Sequence, residues 1–311
     1  MSIWLCSVVV ILTTTTTTVM SNKRVQDFFP DVRGNLTKVT WAHAVNNQSY
    51  LESVLEQNDV MMIEADVTMG KLHDGDGLLP IMAHPPSKVS DLSLKDFLEQ
   101  VEESNARADR TPKGVKLDFK DIESFNAAMG QLQRADQKRY PLWINADILP
   151  GPGNSPVKPV DSAQFLGKCK SLTGGAVLSL GWTTTVDDDA APAGYSIDNV
   201  KAMMDVVTRY KLTNSITFPV RASLVARSGP EMQALLRGFE DSTLTVWSAA
   251  FDEVDVDRLR KVILDIGVEK VYLDVPDEIR ERLELDKNGA SRSAKVALTS
   301  LLVVLVVLVV L

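Results

Sequence analysis

Three histidines occur in the 311 residues, and two of them end apolar runs that read as β-strands. His43 closes Val39-Thr40-Trp41-Ala42-His43, and His84 closes Pro80-Ile81-Met82-Ala83-His84. Between them, Met61-Met62-Ile63-Glu64-Ala65-Asp66-Val67 carries two carboxylates two residues apart. Farther on, Val115-Lys116-Leu117-Asp118-Phe119-Lys120 sets a third carboxylate between two lysines. Residues i and i+2 of a strand share a face, so Glu64 and Asp66 point one way, as do Lys116, Asp118 and Lys120. Charge inside an apolar strand is costly unless it is paired, hydrated or bound to metal. Several strands ending in the same chemistry therefore point to one site gathered at the strand ends. The third histidine, His73, lies in Lys71-Leu72-His73-Asp74-Gly75-Asp76-Gly77, which reads as a turn, and is expected to be exposed.

Glu64, Asp66 and Asp118 offer oxygen ligands only. A hard cation, Mg²⁺ or alternatively Ca²⁺, suits them better than zinc, since neither cysteine nor a histidine pair is in the set. His43 and His84 flank the carboxylates. They read either as an acid–base pair working near neutral pH or as hydrogen-bonded core histidines. Lys116, Lys120 and Arg221, with the amides of Asn46 and Asn145, are candidates to hold an anionic substrate, phosphate being the natural partner of a divalent ion. Lys116 reads equally as the structural partner of a carboxylate. Trp182 and Trp247 would wall a pocket for an acyl stem or a cationic head group, or simply pack.

These residues need elements to position them. Strand-like runs are read at 39–43, 60–67, 115–119, 141–147, 175–180, 215–220, 243–247 and 270–274. Segments with helical spacing lie between most of them, at 49–58, 93–103, 121–137, 161–171, 196–212, 229–240, 254–267 and 276–285. Strand then helix, repeated, predicts an α/β fold with a parallel sheet. Eight such units in about 250 residues is the size of a closed (β/α)₈ TIM barrel. An open doubly wound sheet is the alternative, though no Gly-x-Gly-x-x-Gly follows any of the strands. The run Pro80 to His84 breaks the alternation, because too few residues separate it from strand two for a parallel crossover. It is expected to be an extra strand, or a long loop returning His84 to the barrel mouth. In such a barrel the site sits at the C-terminal ends of the strands. His43, Glu64, Asp66, Asp118, Lys120, Asn145, Asp147, Trp182, Arg221, Trp247 and Asp274 all fall at or just after those ends.

The formal net charge is −8 and no basic run appears, which argues against a nucleic-acid partner. Ile3 to Leu12 is a short apolar run followed by six threonines. It fits a signal peptide cleaved after Ser21, or an uncleaved anchor. Leu301 to Leu311 is wholly Leu and Val, preceded by the small triplet Asn288-Gly289-Ala290 and a polar spacer. That pattern fits a GPI signal with attachment at Asn288; a single-pass tail anchor is the alternative. The expected layout is a signal at 1–21, an N-terminal segment at 22–35, a barrel domain at 36–285, a spacer at 286–295 and an apolar tail at 296–311. The protein would then travel the secretory pathway to the outer face of the cell membrane. Loss of the first 21 residues would leave Cys169 as the only cysteine, so no intrachain disulfide is expected. Asn35-Leu36-Thr37 and Asn47-Gln48-Ser49 are glycosylation sequons, the second close to His43.

The motifs resemble those of the phosphatidylinositol-phospholipase-like phosphodiesterase barrels, the glycerophosphodiester phosphodiesterases and sphingomyelinase D enzymes among them. In those enzymes a histidine follows strand one, Glu-x-Asp lies on strand two, and a second histidine and an acidic strand follow. A closer resemblance, over nearly all of 36–285, is to the menorin family of animal secreted or membrane-attached proteins. It rests on Trp41-Ala42-His43-Ala44-Val45-Asn46, Ile63-Glu64-Ala65-Asp66-Val67 and Pro80-Ile81-Met82-Ala83-His84-Pro85-Pro86. Lys113-Gly114-Val115-Lys116-Leu117-Asp118-Phe119-Lys120, Leu178-Ser179-Leu180-Gly181-Trp182 and Leu244-Thr245-Val246-Trp247 complete it. The resemblance implies the barrel, a metal held by Glu64, Asp66 and Asp118, an acid–base role for His43 and His84, and a phosphate contact at Lys120. It implies a phospholipid or glycerophosphodiester substrate, or else an extracellular adhesion or signalling module with cell-surface protein partners.

Overall fold

The computed structural model describes residues 24–153, 155–185, 194–239, 241–249 and 251–285. The expected signal peptide, the tail and Asn288 lie outside the described residues. Ten strands form one sheet: β1 (Trp41–Ala42), β2 (Met62–Leu72), β3 (Leu79–Met82), β4 (Val89–Ser90), β5 (Gly114–Phe119), β6 (Leu142–Pro150), β7 (Val177–Thr183), β8 (Ile216–Arg221), β9 (Thr243–Trp247) and β10 (Val271–Asp274). Their order is β1-β2-β5-β6-β7-β8-β9-β10, with every adjacent pair parallel. Eight parallel strands in sequential order, each followed by a helix, make the expected (β/α)₈ barrel, here nearly closed.

The helices are α1 (Val25–Phe28), α2 (Gln48–Glu56), α3 (Leu94–Asn105), α4 (Ile122–Ala135), α5 (Ser162–Cys169), α6 (Ile197–Tyr210), α7 (Ala222–Val225), α8 (Gly229–Gly238), α9 (Val256–Ile266) and α10 (Asp277–Leu283). Most start where the sequence supplies a capping side chain. Asn47, Ser93, Asp121, Asp161, Ser196 and Asp255 each accept from a backbone N–H in the first turn, satisfying donors that a helix start leaves unpaired. The apolar stripes of the helices, such as Phe97 and Val101 of α3 or Phe125 and Leu132 of α4, are buried against the outward face of the strands.

The seam between β10 and β1 has no ladder among the described residues. Side chains bridge it. The Arg280 guanidinium of α10 donates to the Leu273 carbonyl of β10, and to the carbonyls of Thr37 (2.7 Å) and Val39 (3.4 Å) leading into β1. The opposite, N-terminal end of the barrel is plugged by the segment from α1 to Val39. Val25, Phe29, Val32, Leu36 and Val39 form an apolar cluster with Met62, Trp143 and Tyr272. Trp143 meets Trp41 and Tyr272 edge-on at 5.4 and 4.8 Å.

The run ending in His84 is an extra strand. β2 pairs with β5 only as far as Val67–Phe119, then continues to Leu72 beyond the rim, where β3 returns antiparallel in a hairpin. A hairpin needs only a short turn, which explains why a crossover helix is missing here. Its return leg delivers His84 to the level of Asp66, where the Ala83 N–H donates to the Asp66 carbonyl at 3.0 Å.

Candidate active site at the C-terminal end of the barrel

Register brings the sequence candidates together. Asp66 of β2, Asp118 of β5, Asn145 of β6 and Ser179 of β7 are register partners on four successive strands. The side chains of Asp118, Asn145 and Ser179 form a chain of hydrogen bonds across the barrel interior, and Lys120 links Asp66 to Asp118. Asn145 Nδ2 donates to Asp118 Oδ1 at 2.5 Å, and Ser179 Oγ donates to Asn145 Oδ1 at 2.5 Å. Glu64 and Lys116 face each other one layer below. Glu64, Asp66 and Asp118 each present an oxygen such that the three atoms lie within 4.8 Å of one another.

Asn46 clamps Asp66 from the loop after β1. Its Nδ2 donates to Asp66 Oδ2 at 2.7 Å, and the Asp66 N–H donates to Asn46 Oδ1 at 2.8 Å. In the same loop the Ala44 backbone has φ 56°, a left-handed conformation that costs a non-glycine residue about 1–2 kcal/mol. That turn aims the Ala44 N–H at Glu64 Oε2, 2.8 Å away. Close approach also explains Gly181 on β7, where a Cβ would lie 2.2 Å from Asp147 Oδ1.

His43 is half-exposed at the rim. Its Nδ1 lies 3.0 Å from Asp274 Oδ2 and 3.5 Å from Glu64 Oε2. Asp274 thus fixes the ring and turns Nε2 away from the wall. Burial acts to lower the imidazole, but Glu64 and Asp274 outweigh it and raise it to about 9. Burial, with Asp66 adding, pushes the Glu64 carboxyl up to about 7 against the pull of His43 and Lys116. Burial beside Asp118 likewise pushes Asp147 up to about 7. Asp118 goes the other way, held below the usual range by Lys120 and Lys116 despite its burial.

Lys120 Nζ lies 2.9 Å from Asp66 Oδ1 and 2.5 Å from Asp118 Oδ2, so it sits among the carboxylates. Lys116 is buried with Nζ 3.9 Å from Asp274 Oδ2, and Glu64 and Asp274 hold its ammonium above the usual range against burial. Arg221 donates to the carboxylate of Asp252 through Nε (2.8 Å) and Nη2, and lies over Trp247 at 5.4 Å. Trp182 is buried between Tyr195 and Phe218 and packs there. His84 is exposed, with Nδ1 2.6 Å from the Pro85 carbonyl oxygen. His73 is exposed. Both sequon asparagines use Oδ1 as caps: Asn35 accepts from Thr37, and Asn47, at the exposed start of α2, accepts from Tyr50 N and Ser49 Oγ.

The donor set fits a hard divalent ion. All three converging ligands are carboxylate oxygens. Five carboxylates (Glu64, Asp66, Asp118, Asp147 and Asp274) face three cationic side chains (His43, Lys116 and Lys120), and burial first, with neighbouring carboxylates adding, raises Glu64 and Asp147. Sequence reasoning noted Asp274 and Asp147 only as acids at strand ends. The role of Asp274 on His43 arises from a contact between the two ends of the barrel sequence, and that of Asn46 on Asp66 from the loop after β1 turning back onto β2.

The family model of the Menorin N-terminal domain matches residues 35–280. The chain belongs to the menorin family. Protein FAM151B of Homo sapiens is 36% identical over 243 residues, which cover 76% of this chain and 82% of that protein. Among solved structures, a glycerophosphoryl diester phosphodiesterase from Parabacteroides distasonis ATCC 8503 aligns at 11% identity and TM-score 0.44, covering 83% of this chain and 91% of that one. Within this menorin domain the matched residues contain every candidate ligand and both rim histidines.

Proposed function

We propose that this menorin-family protein is a divalent-metal-dependent phosphodiesterase acting on a phospholipid or glycerophosphodiester at the outer cell surface. One observation carries the reading: three carboxylate oxygens within 4.8 Å at the C-terminal end of the barrel, beside a histidine fixed by a buried aspartate. Glu64, Asp66 and Asp118 would hold Mg²⁺, or Ca²⁺ in its place. Such an ion supplies Lewis-acid stabilisation of charge on phosphoryl oxygens. His43 holds its proton at neutral pH and is oriented to give it to the leaving oxygen. His84, whose Nδ1–H faces the Pro85 carbonyl, offers Nε2 to take the proton of the attacking water or substrate hydroxyl. Lys120, whose Nζ lies 2.9 Å from Asp66 Oδ1 and 2.5 Å from Asp118 Oδ2, would contact the phosphate. Asn46 and Asn145 act by holding Asp66 and Asp118 in place. Arg221 and Trp247 form the far wall of the mouth, and Trp182 packs between Tyr195 and Phe218.

The position of Lys120 favours a second reading. An ammonium already bridging two of the three carboxylates is what a metal-free scaffold would keep, and the barrel would then serve as an extracellular adhesion or signalling module with protein partners. A panel of lysophospholipids and glycerophosphodiesters, incubated with the protein in Mg²⁺ or in chelator, separates the two. Metal-dependent cleavage that is lost in His43→Ala and His84→Ala, both still folded, supports the enzyme. Lys120→Met is expected to tighten cation binding by removing a competitor, and to lower turnover. No cleavage in either condition, with cation affinity untouched by Lys120→Met, favours the module.

A further inference from the structure

Large apolar side chains left exposed by the fold are Tyr50, Leu78, Val89, Val157, Ile197 and Phe251 among the described residues. Each is at the same end of the barrel as the carboxylates. Tyr50 is in the first turn of α2, Leu78 at the tip of the β2–β3 hairpin, and Val89 on β4 against the outer half of β2. Val157 is in the loop after β6, Ile197 opens α6, and Phe251 is in the loop after β9. Phe251 is 98% exposed, Leu78 69% and Val157 63%. The turns at the opposite end expose no large apolar side chain among the described residues.

Single apolar tips on separate segments, spread round a polar site, do not make the contiguous patch of about 800 Å² per partner that a stable protein interface needs. A fluid lipid surface has no such requirement, because each tip enters the headgroup layer independently. A lysine flanks one of the tips, Lys158 next to Val157; Lys88, next to Val89, is turned back to Thr68 Oγ1 at 2.8 Å and Asp121 Oδ2 at 3.6 Å. A lysine beside an apolar tip suits the boundary between acyl chains and phosphate. Leu78 ends the connection between β2 and β3, one residue before the Gly70–Leu79 pair, and offers a first point of insertion.

We infer that the rim of the barrel mouth docks on a phospholipid surface, so that the site takes its substrate from the bilayer rather than from solution. The choice of substrate rests on the phosphodiesterase reading; the docking does not. The test is hydrogen-exchange mass spectrometry of the purified full chain with and without phosphatidylcholine vesicles. Binding alone does not distinguish the rim from the apolar Leu301 to Leu311 run, so the readout is which face is shielded. Exchange is expected to slow in the hairpin tip, 74–79, and in 251–255, and to stay unchanged in 106–112 and 136–141 at the other end. Leu78→Ser with Phe251→Ser should lower turnover of vesicle phospholipid by about tenfold or more while leaving soluble glycerophosphodiester turnover unchanged. Shielding at the other end, or nowhere, overturns the inference. So does an equal loss on the soluble substrate, or slowed rim exchange that follows protein concentration without vesicles, which would make a second copy the occupant. Rim shielding with no turnover of either substrate leaves the docking standing and sinks the phosphodiesterase reading.

Discussion

His43 and Glu64 lean on one another, and their raised values give the metal-free protein a defined pH response. His43 titrates near 9 in the fold against about 6.5 in an unfolded chain. Its contribution to stability is therefore complete below about 6.5 and is lost as pH rises through 9. Glu64 is raised to about 7, so it too favours the fold when protonated, and that contribution is lost as pH rises from about 4.3 through 7. The two have the same sign. Asp118 and Asp274 are lowered and act oppositely, but only at acid pH. Thermal unfolding in chelator should show a melting temperature that falls between about pH 5 and pH 9. Mg²⁺ should flatten the fall near neutral pH, because a cation takes over the charge of Glu64. A melting temperature that rises with pH across that interval would contradict this account of the pair.

Among the elements, α10 does more than cover the barrel. Arg280 donates to three main-chain carbonyls across the one seam that lacks a ladder among the described residues. Arg280→Ala is expected to cost on the order of 3 kcal/mol in denaturant unfolding, since charge-assisted bonds are lost and part-buried carbonyls are left unpaired. A change below about 0.5 kcal/mol would mean that packing alone closes the barrel. The strands and the long helices were legible in the sequence because their signals are local: apolar runs such as Leu142-Trp143-Ile144 and caps such as Ser93 and Asp121. The hairpin was half legible, since the short spacing excluded a crossover but did not choose between a strand and a loop. The plug formed by α1 and the turns after it was not legible. Val25, Phe29 and Val32 carry no sustained period, and only contact with Trp143 and Tyr272, far along the chain, gives them a place. Site residues at strand ends could be read from the alternation, but their pairings could not, because register decides them.

For the whole molecule, the GPI signal proposed at Leu301 to Leu311 makes a prediction of its own. No helix among the described residues is long and apolar enough to cross a membrane. If the tail is exchanged for a lipid near Asn288, phosphatidylinositol-specific phospholipase C should release the protein from intact cells. Recovery of a C-terminal peptide through Leu311 from protein left in the membrane would identify a tail anchor instead. The account turns on the carboxylates at the barrel mouth, and calorimetric titration of the purified protein with Mg²⁺ tests it most directly. The prediction is one site per chain, abolished in Glu64→Gln and in Asp118→Asn, with Glu64→Gln losing no melting temperature in chelator at pH 8 because it removes a buried excess charge. Absence of binding, or unchanged affinity in both variants, would contradict a metal centre built from Glu64, Asp66 and Asp118.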